Sequence, residues 1–267
     1  MMQKSTISME RQAYLKEVKR ERFWVRFAQI AILVVFIILW EVLANFEIID
    51  SFITSKPTKI AETFVNMLSD NLWMHIGVTC LETLVGFLLG TIIGTLVASL
   101  LWWSPFFSKV LSPYLVILNS LPKVALGPII IVWVGAGTSA IITMALAISL
   151  IVTILEMLNG FNGTDTNRIK MAKTFGANRL QIFTKIVFPS NISTLLNAFQ
   201  VNIGLCMVGV ITGEFLVSKA GLGHLIVYGG QVFKLDLVMT SVIILAIVAS
   251  LMYQAILLLG NLIRKWN

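Results

Sequence analysis

Arg168 to Pro189 reads RIKMAKTFGANRLQIFTKIVFP. It is basic and amphipathic, far too polar to cross a bilayer, and lies between hydrophobic runs that each could. Asp165 or Thr166 suits a helix N-cap, and apolar Ile169, Ala172 and Phe175 follow at helical spacing. Gly176 stands where a C-cap glycine belongs, Asn178 can cap a second short helix, and Pro189 closes it. The spacing predicts two short helices bent at Gly176-Ala177-Asn178, offering Phe175, Leu180, Phe183 and Ile186 to a partner. A loop of this kind between spans points to a membrane subunit driven from outside the membrane.

Composition agrees. The chain is 57% hydrophobic and 12% charged, with a mean hydropathy of +0.89, whereas a soluble domain carries roughly 25% charged residues. Six runs reach the ~20 residues that cross ~30 Å of hydrocarbon: Phe27–Phe46, Leu81–Trp103, Val110–Val134, Ser139–Leu158, Ser193–Val217 and Leu237–Gly260. The predicted fold class is an all-α integral membrane protein with six transmembrane helices. Residues 1–26 form a basic arm, residues 27–267 one membrane domain, and residues 164–190 its large polar loop. The first apolar run is too long for a signal h-region of ~7–15 residues and no small-x-small site follows, so it reads as a retained anchor.

The net charge of +7 orients the chain and does not mark a nucleic-acid surface. Counting alternate loops, Lys4, Arg11, Lys16, Lys19, Arg20, Arg22, Arg26, Lys109, Arg168, Lys170, Lys173, Arg179, Lys185, Arg264 and Lys265 fall on one side. Lys56, Lys59, Lys219 and Lys234 fall on the other. Positive residues collect in the cytoplasm, so both termini are expected inside, with the N-terminal run against anionic lipid headgroups. Cys80 and Cys206 are far apart, and His75 and His224 are solitary. No cluster has metal-ligand or catalytic spacing, and there is no G-x-x-x-x-G-K-[ST] loop. The chain is expected to be no enzyme, with no catalytic, cofactor or metal residues of its own.

Three features lie within the spans. Gly86, Gly90, Gly94 and Ala98 form a small-residue stripe that lets another helix approach, within the chain or from a second copy. In the fifth span Asn197, Gln200 and Gly204 share one face, and Asn202, Cys206, Gly209 and Gly213 another. Amides there face protein or water, through interhelical hydrogen bonds or along a pathway. The third span is interrupted by NSLPKVALGP, with Pro122, Gly127 and Pro128 breaking the helix beside Lys123. Broken spans often line substrate sites; alternatively the span begins near Pro122 and Lys123 snorkels to headgroups. Between the first two spans, Pro57 starts an amphipathic segment with Ile60, Phe64, Met67 and Leu68 on one face. It either packs on the spans or helps recognise substrate.

The polar loop resembles the E-A-A-x3-G-x9-I-x-L-P coupling loop of permease subunits of bacterial ABC importers. Lys170, Met171 and Ala172 occupy the E-A-A places, Gly176 the glycine, and Ile186, Val187, Phe188 and Pro189 the close. Lys170 replaces the family's glutamate and Phe188 its leucine. Leu39-Trp40-Glu41 with Lys56-Pro57-Thr58, PKVALGPIIIVWVGAG, and GEFLVSKAGLGHLI from Gly213 to Ile226 are similar to permeases for aliphatic sulfonates, taurine and nitrate. The likeness runs from about Ile38 to the C-terminus. It implies a type I importer (MetI-like) permease fold in a bacterial cell membrane. Two such chains would enclose a pathway, with two ATPase subunits that bind ATP docked inside and a substrate-binding protein outside. Lys170, Met171, Ala172, Phe175, Gly176, Ile186 and Pro189 are then the coupling residues. Candidates for the pathway are Pro122, Lys123, Asn197, Gln200 and Glu214, the last either lining its mouth or holding closed the turn at Gly221-Leu222-Gly223. A pyrimidine-type vitamin precursor is a second substrate class. A stand-alone secondary transporter or channel, with intramembrane Lys123, Glu156 and Glu214, is the reading from another class.

Overall fold

The computed structural model describes residues 9–264, and all regular structure among them is helical. Lys4 and Lys265 of the orienting charges lie outside these residues. Helix α1 (Met9–Asn45) is continuous, so no break falls at residue 26. Five helices are long and apolar enough to span a membrane, and a bent pair makes up to a sixth when taken as one span. That pair is α4 (Pro105–Ser120) and, beyond a short 3-10 turn at Lys123–Leu126, α5 (Gly127–Val134), meeting at 86°. The cause is local: the residue before a proline is pushed out of the helical region, and Leu121 has φ −66° and ψ 142°.

The centre is a three-helix stack of α3 (Leu72–Trp103), α6 (Thr138–Asn162) and α9 (Ile192–Val217). Because lipid tails are as apolar as leucine, close backbone packing and interhelical hydrogen bonds drive this association. The glycine stripe of α3 meets a matching small-residue row of α6 in the same chain. A Cβ at Gly86 would lie 2.8 Å from Ala145 Cβ, at Gly90 2.7 Å from Ser149 Oγ, and at Gly94 2.7 Å from Thr153 Cγ2. Gly209 and Gly213 of α9 press on the other side, where a Cβ would come within 2.5 Å and 2.9 Å of the Cα atoms of Ala145 and Ile141. Buried Asn202 of α9 donates to Thr91 Oγ1 of α3 at 2.8 Å and ties the third pair.

The segment from Pro57 forms α2 (Pro57–Ser69), with Ile60 and Met67 buried. Met67 joins a core with Leu72, Met207, Leu222, Ile244 and Val248, drawn partly from α11 (Leu235–Arg264). Phe64 and Leu68 stay partly exposed. The helix therefore packs on the spans. The α2–α3 connection is shorter than the sequence suggested, because α3 starts at Leu72 and not at Leu81. Glu41 of α1 caps α2, accepting from Thr58 N at 3.1 Å and Thr58 Oγ1 at 3.0 Å.

Candidate functional site

At one end of the stack, the loop end, α7 (Thr166–Thr174) is capped by Asp165, which accepts from Asn167 N at 2.8 Å. Its C-terminus closes as a Schellman motif: Ala177 N donates to Ala172 O and Gly176 N to Lys173 O, both at 3.0 Å, with Gly176 at φ +78°. Asn178 then opens α8 (Arg179–Ile182) with a capping box, exchanging 2.8 Å bonds with Gln181. Pro189 does not close this helix. The chain widens into a π turn over Phe183–Val187, where Phe188 N bonds Phe183 O, and continues helically through Pro189 to Ser190. A proline lacks the N–H for a regular ladder, and the wider turn accommodates it.

The loop has an inner and an outer face. Phe175, Met171 and Leu180 are 83%, 60% and 57% exposed, with Lys170 beside them. Phe183 is not available to a partner: its ring packs on Trp102 at 5.1 Å and Phe161 at 5.4 Å. Ala172 packs beneath the outer face against the same core, and Ile186 is half-buried. Asn191, which the sequence reading passed over, is buried and donates to Thr164 Oγ1 at 2.9 Å and Val187 O at 2.8 Å. It pins the end of the loop to its start, where the loop joins α6 and α9.

Lys123 sits in the break of the third span. Its Nζ donates to Asn119 Oδ1 at 3.0 Å and approaches Ile148 O at 3.4 Å. Ile148 lies roughly 15 Å along α6 from Thr138 at 1.5 Å per residue, so the ammonium meets α6 near the middle of its length. The helix α4 extends from Pro105 to Ser120 before the break, so Lys123 follows an apolar helix and does not open one. Pro122 is exposed beside it. Asn197 is exposed and Gln200 half-buried on the side of α9 away from the stack. Among the described residues no hydrogen bond joins these amides to Lys123.

Glu214 belongs elsewhere. It is 1% exposed near the far end of the stack, and accepts from Thr79 Oγ1 at 2.7 Å and Gly223 N at 2.6 Å. Thr79 Oγ1 in turn accepts from Leu222 N at 2.8 Å, and His75 Nδ1 from Gly221 N at 3.0 Å. Gly221 has φ +110°, and a Cβ at Gly223 would sit 2.7 Å from Glu214 Oε2. Glu214 thus anchors the turn into α10 (Leu222–Gln231), with its carboxylate buried. The sequence reading missed Glu82. It is 2% exposed, lies against Glu214, has an Oε2 without a partner among the described residues, and borders a cavity of about 460 Å³ with Thr138 and Lys219. An acid inside the second span was legible; its approach to Glu214 across helices was not. Glu156 is half-buried on α6 and makes no ion pair among the described residues.

A small-residue helix stack, a bent helix pair holding a lysine at its break and a capped polar loop between long apolar helices describe a subunit built for the membrane. Residues 86–266 match the family of binding-protein-dependent transport system inner membrane components, and the chain belongs to that family. It is 29% identical to the riboflavin transport system permease protein of Chloroflexus aurantiacus, over 88% of both chains. It is 22% identical to the taurine transport system permease protein of Escherichia coli, over 89% of both. The formylaminopyrimidine transport permease protein of Halalkalibacterium halodurans is also 22% identical, over 86% of this chain and 92% of its own. In fold it is similar to a chain of the inward-facing MetNI methionine ABC transporter, with TM-score 0.63, 22% identity and coverage of 73% and 94%. A bacterial ABC transporter involved in import of the polysaccharide alginate gives TM-score 0.64 at 13% identity, covering 93% and 98%. The protein is a multi-pass ABC importer permease, a transport component and not a catalytic one.

Proposed function

We propose that two copies of this chain form the pathway of an importer powered by two separate ATPase subunits and fed by a substrate-binding protein. The loop end faces the cytoplasm, both termini are inside, and ATP binds on the partner subunits. The single observation that carries the coupling is the loop itself, with Met171, Phe175 and Leu180 exposed on an element whose two ends are pinned together by Asn191. A groove on each ATPase takes these side chains, with Lys170 and Gly176 shaping the fit. When ATP draws the ATPases together, the loops carry α6 and α9 with them, and the pathway opens to the loaded binding protein; hydrolysis resets it.

The substrate is a small anion of the sulfonate, taurine or nitrate kind. Lys123 supports this, because a charge near the middle of a spanning helix costs about 2.5–3.5 kcal/mol on insertion scales and is retained where it serves a pathway. In the pair, two such lysines make a positive constriction that favours anions, with Pro122, Asn197 and Gln200 beside it. A pyrimidine-type vitamin precursor is the second reading, favoured by the formylaminopyrimidine relative. The test is uptake into vesicles of permease co-expressed with its ATPase and binding protein. ATP-dependent uptake that Phe175→Asp abolishes, together with ATPase co-purification, is the expected result. Uptake without ATP or ATPase would establish a stand-alone transporter.

A further inference from the structure

From Thr166 through Ser190 the loop contains no aspartate or glutamate, and its basic residues are not spread evenly around it. Lys173 and Arg179 line a pocket of about 450 Å³ with Trp102, Ile169, Ala177 and Ile182, on the side away from the Met171–Phe175–Leu180 surface. The Arg179 guanidinium lies over the Trp102 ring, 5.9 Å from its centroid. Neither cation has a carboxylate within ion-pair distance among the described residues, whereas Arg168 has Asp165 at 3.9 Å. Trp102 ends α3. Trp103, Phe106 and Phe107, each exposed, continue the same edge, with Lys109 one turn further. The two tryptophans of this aromatic girdle are of the type that collects at the depth of lipid headgroups, and a basic pocket at that depth suits an anionic one.

We propose that this pocket binds the phosphate of an anionic membrane lipid, with Lys173 and Arg179 taking the charge and Trp102 the glycerol backbone. The girdle commits the source to the bilayer and not to a soluble anion. The lipid then bridges α3 to the α7–α8 lever at the point where the Gly176 bend leaves the loop with few contacts, and so stiffens the element that transmits force. The site rests on the proposed cytoplasmic placement of the loop, which is tested separately by reporter topology. A loop that faced outward would fail that assay whatever the lipid result.

The experiment uses the permease with its ATPase in nanodiscs of phosphatidylcholine alone or mixed with phosphatidylglycerol, followed by native mass spectrometry of the released complex. Wild type should retain phosphatidylglycerol severalfold over phosphatidylcholine. Lys173→Ala with Arg179→Ala should lose that preference, while Arg168→Ala with Lys185→Ala, which removes equal charge outside the pocket, should keep it. If the double variant does not assemble, Lys173→Gln alone should weaken retention. Equal retention of both lipids, or loss in the control variant to the same degree, overturns the proposal. So does inorganic phosphate competing off the retained phosphatidylglycerol or occupying the pocket equally in phosphatidylcholine discs, which would assign the pocket to a soluble anion.

Discussion

At the residue scale, burial separates side chains that look alike in the sequence. Lys123 and Glu214 are both charges inside spans, yet Lys123 keeps an accessible ammonium in a helix break and Glu214 has both oxygens engaged at 2.7 Å and 2.6 Å. Their substitutions should therefore diverge. Lys123→Met keeps length and removes charge, and uptake of an anionic substrate should fall severalfold at unchanged expression and ATPase coupling; unchanged uptake would take Lys123 off the pathway. Glu214→Ala leaves the Gly223 N–H and Thr79 hydroxyl without their acceptor, at a cost of about 1–3 kcal/mol for a buried group. Its mark should be a lowered unfolding midpoint in detergent, ahead of any change in substrate preference.

At the scale of elements, two glycines act for different physical reasons. Gly176 has open space where a Cβ would go but φ +78°, so its substitution is opposed by backbone strain alone, on the order of 1–2 kcal/mol and more for a β-branched residue. Gly176→Val should insert normally and lose ATP-driven uptake together with stimulated ATPase activity. Full transport by a well-expressed variant would mean that the loop is no lever. Gly90 is helical, and steric room is its limit: 2.7 Å to Ser149 Oγ. Gly90→Leu should drive α3 and α6 apart and cut the yield of monodisperse protein on size exclusion. Gly77→Leu on the same helix, where nothing lies within 4 Å of the added Cβ, should not.

At the scale of the whole molecule, the charge asymmetry and the helix count make one test. If the bent pair crosses as one span, the crossings number six, and by the charge asymmetry of the sequence a reporter active only outside the cytoplasm should be silent when fused at the C-terminus. Activity there would require an odd number of crossings, and the 86° bend at Leu121–Pro122 would be the first place to look, as a re-entrant hairpin in place of a span. The pair proposed for transport would use faces that the single chain leaves uncovered. These include α4, which buries none of its residues, and the Asn197, Val201, Gly204 and Val208 edge of α9.

The sequence by itself determined that the chain is built of long apolar helices, the interruption at Pro122 and the caps at Gly176 and Asn178, because hydropathy, missing N–H groups and positive φ are local quantities; it left the first cap between Asp165 and Thr166 and began the second span nine residues late. The resemblance in the loop and the outer turns extended that to the family. Only the tertiary structure decided that the glycine stripe of α3 meets Ala145, Ser149 and Thr153 of the same chain. It also decided that Glu41 of the Leu-Trp-Glu motif caps Thr58 of the Lys-Pro-Thr motif, and that Phe183 turns inward while Phe175 stays exposed. Glu214 and Glu82 stand 132 positions apart in the chain and meet across two helices. Each of these is a choice of neighbour between segments distant in sequence. A stripe, an acid or an aromatic ring specifies what it can touch, but which partner it touches depends on how all the helices pack at once.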